Sequence, residues 1–193
     1  MRVGIGRSNN RRWWLLLPLL LCACLSVSLN ADTFSERRIH VGLKLFRPFL
    51  SADLALSEKL NDAGRVEVAL LYASDELTAA RYLPELEQAL PEVKKLPVQL
   101  NTLALSSLSD APRAPAAMFI TQPLNREELQ QVISYGREHR VMVFSPFEGD
   151  VRDGVAGGLS VESTVRPALN MTTLKASGLE LKAFYLTVAK QYE

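Results

Sequence analysis

The sequence predicts a single α/β domain: a mostly parallel sheet with helices on both faces, of the three-layer Rossmann-like or flavodoxin-like kind. Three observations predict it. Short apolar or β-branched runs at 65–72, 96–105, 116–121 and 140–145 read as buried strands. Helical spacing or composition surrounds them in the order helix, strand, helix, strand, strand, helix, strand, which is the alternation that a parallel sheet covered on both faces requires. No internal repeat, low-complexity tract or linker divides the chain, and about 160 residues suffice for one core.

The first helix is read from SERRIHVGLKLFRPFL. Ser35 is the expected cap, and Ile39, Leu43, Phe46 and Leu50 recur at steps of four, three and four, the spacing of one helix face. Pro48 is expected to end or kink this helix near Arg47, because it lacks an amide proton and crowds the preceding turn. NDAG at 61–64 is a turn cluster before the strand RVEVALLY. The helix SDELTAARYLPELEQAL follows, capped by Ser74 or Asp75, with Pro84 predicting a kink or the first turn of a second helix.

LPVQLNTLAL is the second strand, SSLSDAPRAP a loop and AAMFIT the third strand. The next helix carries the clearest punctuation. Asn125 is its cap, Glu128 stands three residues on, and Leu124 and Leu129 occupy the staple positions, with Leu129, Val132 and Ile133 as the buried stripe. RVMVFS is the fourth strand. The tail is expected to hold one extended piece, GLSVESTVRP, and then two helical segments broken at Gly178. The last is amphipathic through Leu181, Phe184, Tyr185 and Val188.

Residues 1–31 stand apart. MRVGIGRSNNRR carries four arginines and no acid, WWLLLPLLLCACLSVSL is apolar, and Ala31 precedes the first acidic residue. This is the layout of a cleaved export signal, so the expected compartment is the periplasm. Leu21-Cys22-Ala23-Cys24 is also similar to a lipoprotein signal with Cys24 as the lipidated residue, and anchoring there is the minor alternative. The two cysteines of the chain both lie in this segment, so a chain cleaved after Ala31 has neither disulfide, thiolate metal site nor Cys nucleophile. The mature chain would keep 18 of the 22 basic residues against 21 acidic, a net charge of −3, which gives no electrostatic reason to expect nucleic acid.

Chemistry-bearing patterns are sparse. His40 and His139 belong to no metal-ligand spacing, and neither a nucleophile elbow nor a phosphate-binding glycine loop is present, so no cofactor, metal or catalytic residue is assigned. The stretch SPFEGDVRDGVAGG, after the fourth strand, is the candidate site. Ser145, Phe147, Glu148, Asp150 and Arg152 are its partner- or ligand-contact residues, and Gly149, Gly154, Gly157 and Gly158 its turn and close-approach glycines. It follows a strand of an open α/β sheet, where ligands bind beyond the carboxyl ends. Phe147 is expected either to fold back onto the core or to meet a partner.

The tail carries a resemblance. Val165-Arg166-Pro167, Asn170, Leu174, Ser177-Gly178-Leu179, Leu186 and Ala189 form a pattern similar to the C-terminal part of the YfiR-like family of exported proteins. The resemblance covers residues 140–190 and implies a periplasmic α/β domain over 32–193. It further implies a regulator that binds the periplasmic part of a membrane signalling enzyme such as a diguanylate cyclase, holding cyclic di-GMP low. A small periplasmic solute-binding protein of transport type is the alternative. A small ligand and a homodimer are left open.

Overall fold

The computed structural model describes residues 34–193, so the expected export signal and Cys24 lie outside the described residues. From Arg38 onward the chain forms one compact unit, to which the following applies. Helix α1 runs to residue 52, and strands β1 (Val66–Tyr72), β3 (Leu96–Ala104), β4 (Ala117–Ile120), β5 (Met142–Ser145) and β6 (Gly157–Val161) are parallel to one another. β2 (Glu92–Val93) flanks β3 antiparallel, β7 (Val165–Asn170) turns back antiparallel to β6, and β8 (Lys190–Tyr192) lies parallel to β7. The spatial order is β2-β3-β1-β4-β5-β6-β7-β8. Its parallel part has the flavodoxin-like doubly wound arrangement, with the reversal between β1 and β4.

The two faces follow from the side chains each strand sends out. Phe119 and Phe144, one on each of β4 and β5, stack at 5.6 Å on one face, and Phe46 and Phe49 of α1 pack onto them. Helix α2 (Glu76–Ala89) joins α1 on that face, where Tyr82 meets the His40 ring edge-on and Glu85 accepts from His40 Nδ1 at 3.1 Å. Helix α3 (Arg126–Glu138) covers the opposite face, with Gly136 against Val143. The α/β class with helices on both faces is therefore what the chain adopts.

Several elements stand as expected. Ile39, Leu43, Phe46 and Leu50 are all buried, and α3 has a complete capping box between Asn125 and Glu128. Asp75, not Ser74, caps α2, accepting from the Thr78 amide at 2.9 Å. Residues 106–115 are not wholly loop, since a 3-10 helix occupies Leu105–Asp110; another spans Leu56–Lys59.

Others are corrected. Ser35 already lies inside α1, which is helical from residue 34 onward. Pro48 does not end that helix. It sits on the exposed side, so the Lys44 carbonyl that loses its amide partner is also on the exposed side, while Phe46, Phe49 and Leu50 anchor the turns on both sides in the core. Pro84 is likewise inside a continuous α2. GLSVESTVRP is not one extended piece but the β6–β7 hairpin, with the chain reversing at 162–164. The final helix, α5, is only Ala183–Val188 and gives way to β8. Tyr185 is its buried residue, packed toward Phe49, whereas Phe184 is 78% exposed. Before it lies α4 (Met171–Ala176), capped by Asn170.

Candidate functional site

The loop after β5 is held from four directions before any ligand is considered. Pro146 gives its carbonyl to Arg38 Nε at 2.8 Å, across 108 residues of sequence. The Ser145 hydroxyl accepts from the Phe147 amide at 3.1 Å and donates to the Asp150 carboxylate. Asn170 Nδ2 donates to the Val151 carbonyl at 2.8 Å, and the Thr173 hydroxyl to the Gly154 carbonyl at 2.7 Å. The same Asn170 turns its Oδ1 to the Thr173 amide as the cap of α4. The asparagine of the tail pattern thus ties β7, α4 and the loop together. A small Asp150–Val155 turn closes through Val155 N to Asp150 O at 2.9 Å.

The expected site residues separate into two groups. Ser145 and Phe147 are buried, Phe147 folding back onto the core rather than standing out to meet a partner. Asp150 is half-buried rather than a solvating acid, because its carboxylate is turned inward to Ser145. Glu148 and Arg152 are exposed, and the Glu148 carboxylate lies 3.9 Å from Arg38 with its side chain 74% exposed. Gly149 and Gly154 take left-handed φ of +95° and +122°, which a residue with a Cβ adopts only with strain. Gly157 and Gly158 are close-approach positions in β6.

Glu148 and Arg152 open onto a cavity of about 190 Å³ at the carboxyl ends of β5 and β6. Residues that sequence reasoning passed over complete its wall: Arg38 from α1, Ser160 at the end of β6, Glu162 of the hairpin, and Lys190 and Tyr192 of β8. Glu162 is engaged by both Lys190 and Arg166. Arg38 is only 7% exposed, and burial lowers its guanidinium from the ordinary pKa against the opposing pull of Glu148 and Asp150. One trace of Arg38 exists in the sequence: it continues the line Arg38, Gly42, Phe46 at steps of four, and Gly42 is where α1 meets Phe119 and Pro146. Among the described residues no group of three His, Cys, Asp or Glu side chains is placed to hold a metal ion, and no described helix is long and apolar enough to cross a membrane.

Burial raises the Asp150 carboxyl to about 6; Asp153 adds to the rise, while the Ser145 hydrogen bond and Arg38 oppose it. A folded-state pKa above the unfolded one means that stability is fully present below about pH 4 and is lost as pH rises through about 6. Asp150→Asn keeps the acceptor for Ser145 and removes the charge. It is therefore expected to be more stable than the parent at pH 7.5, by about 1–2 kcal/mol, with the difference vanishing near pH 4. Thermal unfolding of both chains across pH 4–8 measures this, and a pH-independent difference would exclude a desolvated Asp150.

No family model matches the chain, and no curated protein does. Solved structures do. One is the ABC domain in complex with L-Trp from Streptococcus pneumonia, with a TM-score of 0.49 and 12% identity over 75% of this chain and 60% of that one. Another is a conserved domain protein from Vibrio cholerae O1 biovar El Tor str. N16961, with a TM-score of 0.50 and 11% identity over 70% and 57%. The chain thus spans less than two thirds of either. At such identity the likeness concerns the fold alone; sheet order and layers themselves define the class, a doubly wound α/β protein.

Proposed function

We propose that the chain is a binding protein, not a catalyst, and that its working surface is the cavity and rim at the carboxyl ends of β5 and β6. The observation that carries the reading is Arg38, a buried guanidinium that lines a hollow where open α/β sheets receive ligands. A flat contact surface has no use for such an arrangement, so small-solute binding is the leading use of the site. The unit has one sheet, and the ligand would be held against a rim rather than between two lobes.

The second reading is an exported regulator of YfiR type that contacts the periplasmic part of a membrane signalling enzyme such as a diguanylate cyclase. The tail pattern supports it, since Asn170 wires the loop whose exposed Glu148 and Arg152 would meet the partner. Two experiments on the full chain decide between these uses. A thermal-shift screen across a metabolite panel is expected to return at least one saturable ligand. Crosslinking in cells, followed by identification of membrane proteins, tests the regulator: the double reversal Glu148→Lys, Arg152→Glu is expected to cut recovery of one signalling enzyme by about ten-fold. Undiminished recovery would remove the rim from the interface.

A further inference from the structure

We infer that a second hollow, against β1 and β3, binds a small organic cation: a primary ammonium group received by the Glu67 carboxylate and the Asn101 side-chain carbonyl, its alkyl body lying on an apolar wall. The hollow shares no residue with the cavity at β5 and β6, so the two sites are independent.

The layers create the space. β1 and β3 pair with Ala69 beside Asn101 and Leu71 beside Leu103, which puts Glu67, Ala69, Asn101 and Leu103 on one face. It is the α3 face: the Tyr135 phenol of that helix is held above its ordinary range by burial and, secondarily, by the Glu67 charge. Helix α3 itself packs on β5, and over β1 and β3 the roof is the segment from Ser107 to Pro115. No residue of β3 is fully buried beneath it. Between strands and roof lies a cavity of about 420 Å³, the size of a small organic ligand.

The polar atoms decide the ligand class. Glu67 is the one charged residue of β1, and a carboxylate beside an amide is a poor choice for merely covering a sheet. Asn101 Nδ2 donates to Glu67 Oε1 at 3.2 Å. An ionised carboxylate only accepts, so this bond orients the amide and leaves Oδ1 as its other end. That oxygen is buried and accepts a hydrogen bond from no described residue. An unmet acceptor costs free energy until a donor reaches it. The Nδ2 bond is long for its kind, so a modest turn of the amide brings Oδ1 to a donor seated on Glu67. Arg113, the cation of the lining, is committed elsewhere, to Asp62 Oδ1 at 2.9 Å and the Leu60 carbonyl at 2.5 Å. Glu67 and Asp110 have no cation partner among the described residues. The hollow is therefore negative and rich in acceptors, while Ala69, Leu103, Pro112 and Pro115 supply the apolar wall. An alkylammonium ion answers both: three donors with a positive charge at one end, and a chain at the other.

The test titrates the full chain, purified as the cell processes it, with n-butylammonium, butyrate and n-butanol in a calorimeter at constant ionic strength. Saturable binding of butylammonium alone is expected. Glu67→Gln and Asn101→Leu are each expected to weaken it about ten-fold. Asp110→Asn, at the exposed rim, needs no repacking and is expected to weaken it about three-fold. Asn101→Leu also separates a ligand site from a structural amide. Removing an unmet buried acceptor is expected to leave the urea midpoint at or above the parent's. A lowered midpoint with unchanged butylammonium affinity would make the amide structural and overturn the assignment. Affinity unchanged in all three variants would place the amine elsewhere, with the same consequence. Butyrate or butanol bound as tightly as butylammonium would overturn the cation class, and absence of saturable butylammonium binding would remove the site.

Discussion

Gly158→Ala is expected to be among the most destabilising single-methyl additions in the chain, costing about 3–5 kcal/mol. A Cβ at this position would stand 2.4 Å from the Ser145 carbonyl oxygen and 2.6 Å from Val151 Cγ2. The first of these is backbone, so no rotamer change relieves it. β5 and β6 pair through only two residue pairs, Phe144 with Gly157 and Ser145 with Gly158. Moving the Ser145 carbonyl away therefore loosens the narrowest seam of the sheet and, with it, the hairpin and β8 beyond. The adjacent Gly157→Ala meets the Phe49 ring at 2.6 Å, and Phe49 is fully buried, so a smaller but still large penalty of about 2–3 kcal/mol is expected. Gly64→Ala is the control. It has φ of +70° with nothing near its Cβ, so it reports backbone strain alone, about 1 kcal/mol. Urea unfolding of the three variants measures the series, and a Gly158→Ala midpoint no lower than that of Gly64→Ala would refute the crowding argument.

These glycines show how much was legible in one dimension. Their number in one stretch announced close approach, but what approaches is set by Phe49, 108 residues upstream, and by the Ser145 carbonyl across the sheet. The central strands were legible because β1, β4 and β5 are covered on both faces, so their side chains are apolar almost without interruption. Helix α3 was legible because its start is local chemistry, Asn125 and Glu128 exchanging hydrogen bonds. The closing third was not. Strands β7 and β8 exist because an edge is available beside β6, and VRPALN and KQY carry no period of their own strong enough to say so. Pro48 misled because its effect on a helix depends on which side it faces.

The site divides the same way. Loop residues 145–152 announced themselves by composition, and the structure brings Phe147, Glu148 and Arg152 to the cavity while turning Ser145 and Asp150 inward to each other. Arg38, Ser160, Lys190 and Tyr192 come from three other elements and meet only because α1 lies over β5 and β8 pairs with β7. An arginine on a helix otherwise rich in basic residues gives no local sign that it is the buried one. Burial is a property of the assembled layers, and the step of four from Gly42 was the one available hint.

Lys59→Met should cost about 3–5 kcal/mol at pH 7, because it strands a carboxylate in the core. Asp53, at the end of α1, is fully buried, and its Oδ2 accepts from Lys59 Nζ at 2.7 Å while Oδ1 accepts from the Ala55 amide at 2.9 Å. Its main-chain carbonyl also receives Lys94 Nζ at 2.9 Å. The surrounding backbone joins two distant segments, with Leu54 N on the Glu180 carbonyl and Lys182 N on that of Ala52. Lys59 is 14% exposed, and burial pulls its ammonium below the usual range against the opposing bond to Asp53. Removing the lysine leaves Asp53 with one amide hydrogen bond to its carboxylate and no counter-ion. The loss is that of a buried charge left without its ion-pair partner. Asp53→Asn, Lys59→Met together should recover much of the loss, since neither partner is then a buried lone charge. Urea unfolding of both variants at pH 7 decides it. If Lys59→Met loses less than about 1 kcal/mol, the pair behaves as a surface ion pair and the junction of α1 with the 180–182 segment is held by its backbone bonds alone.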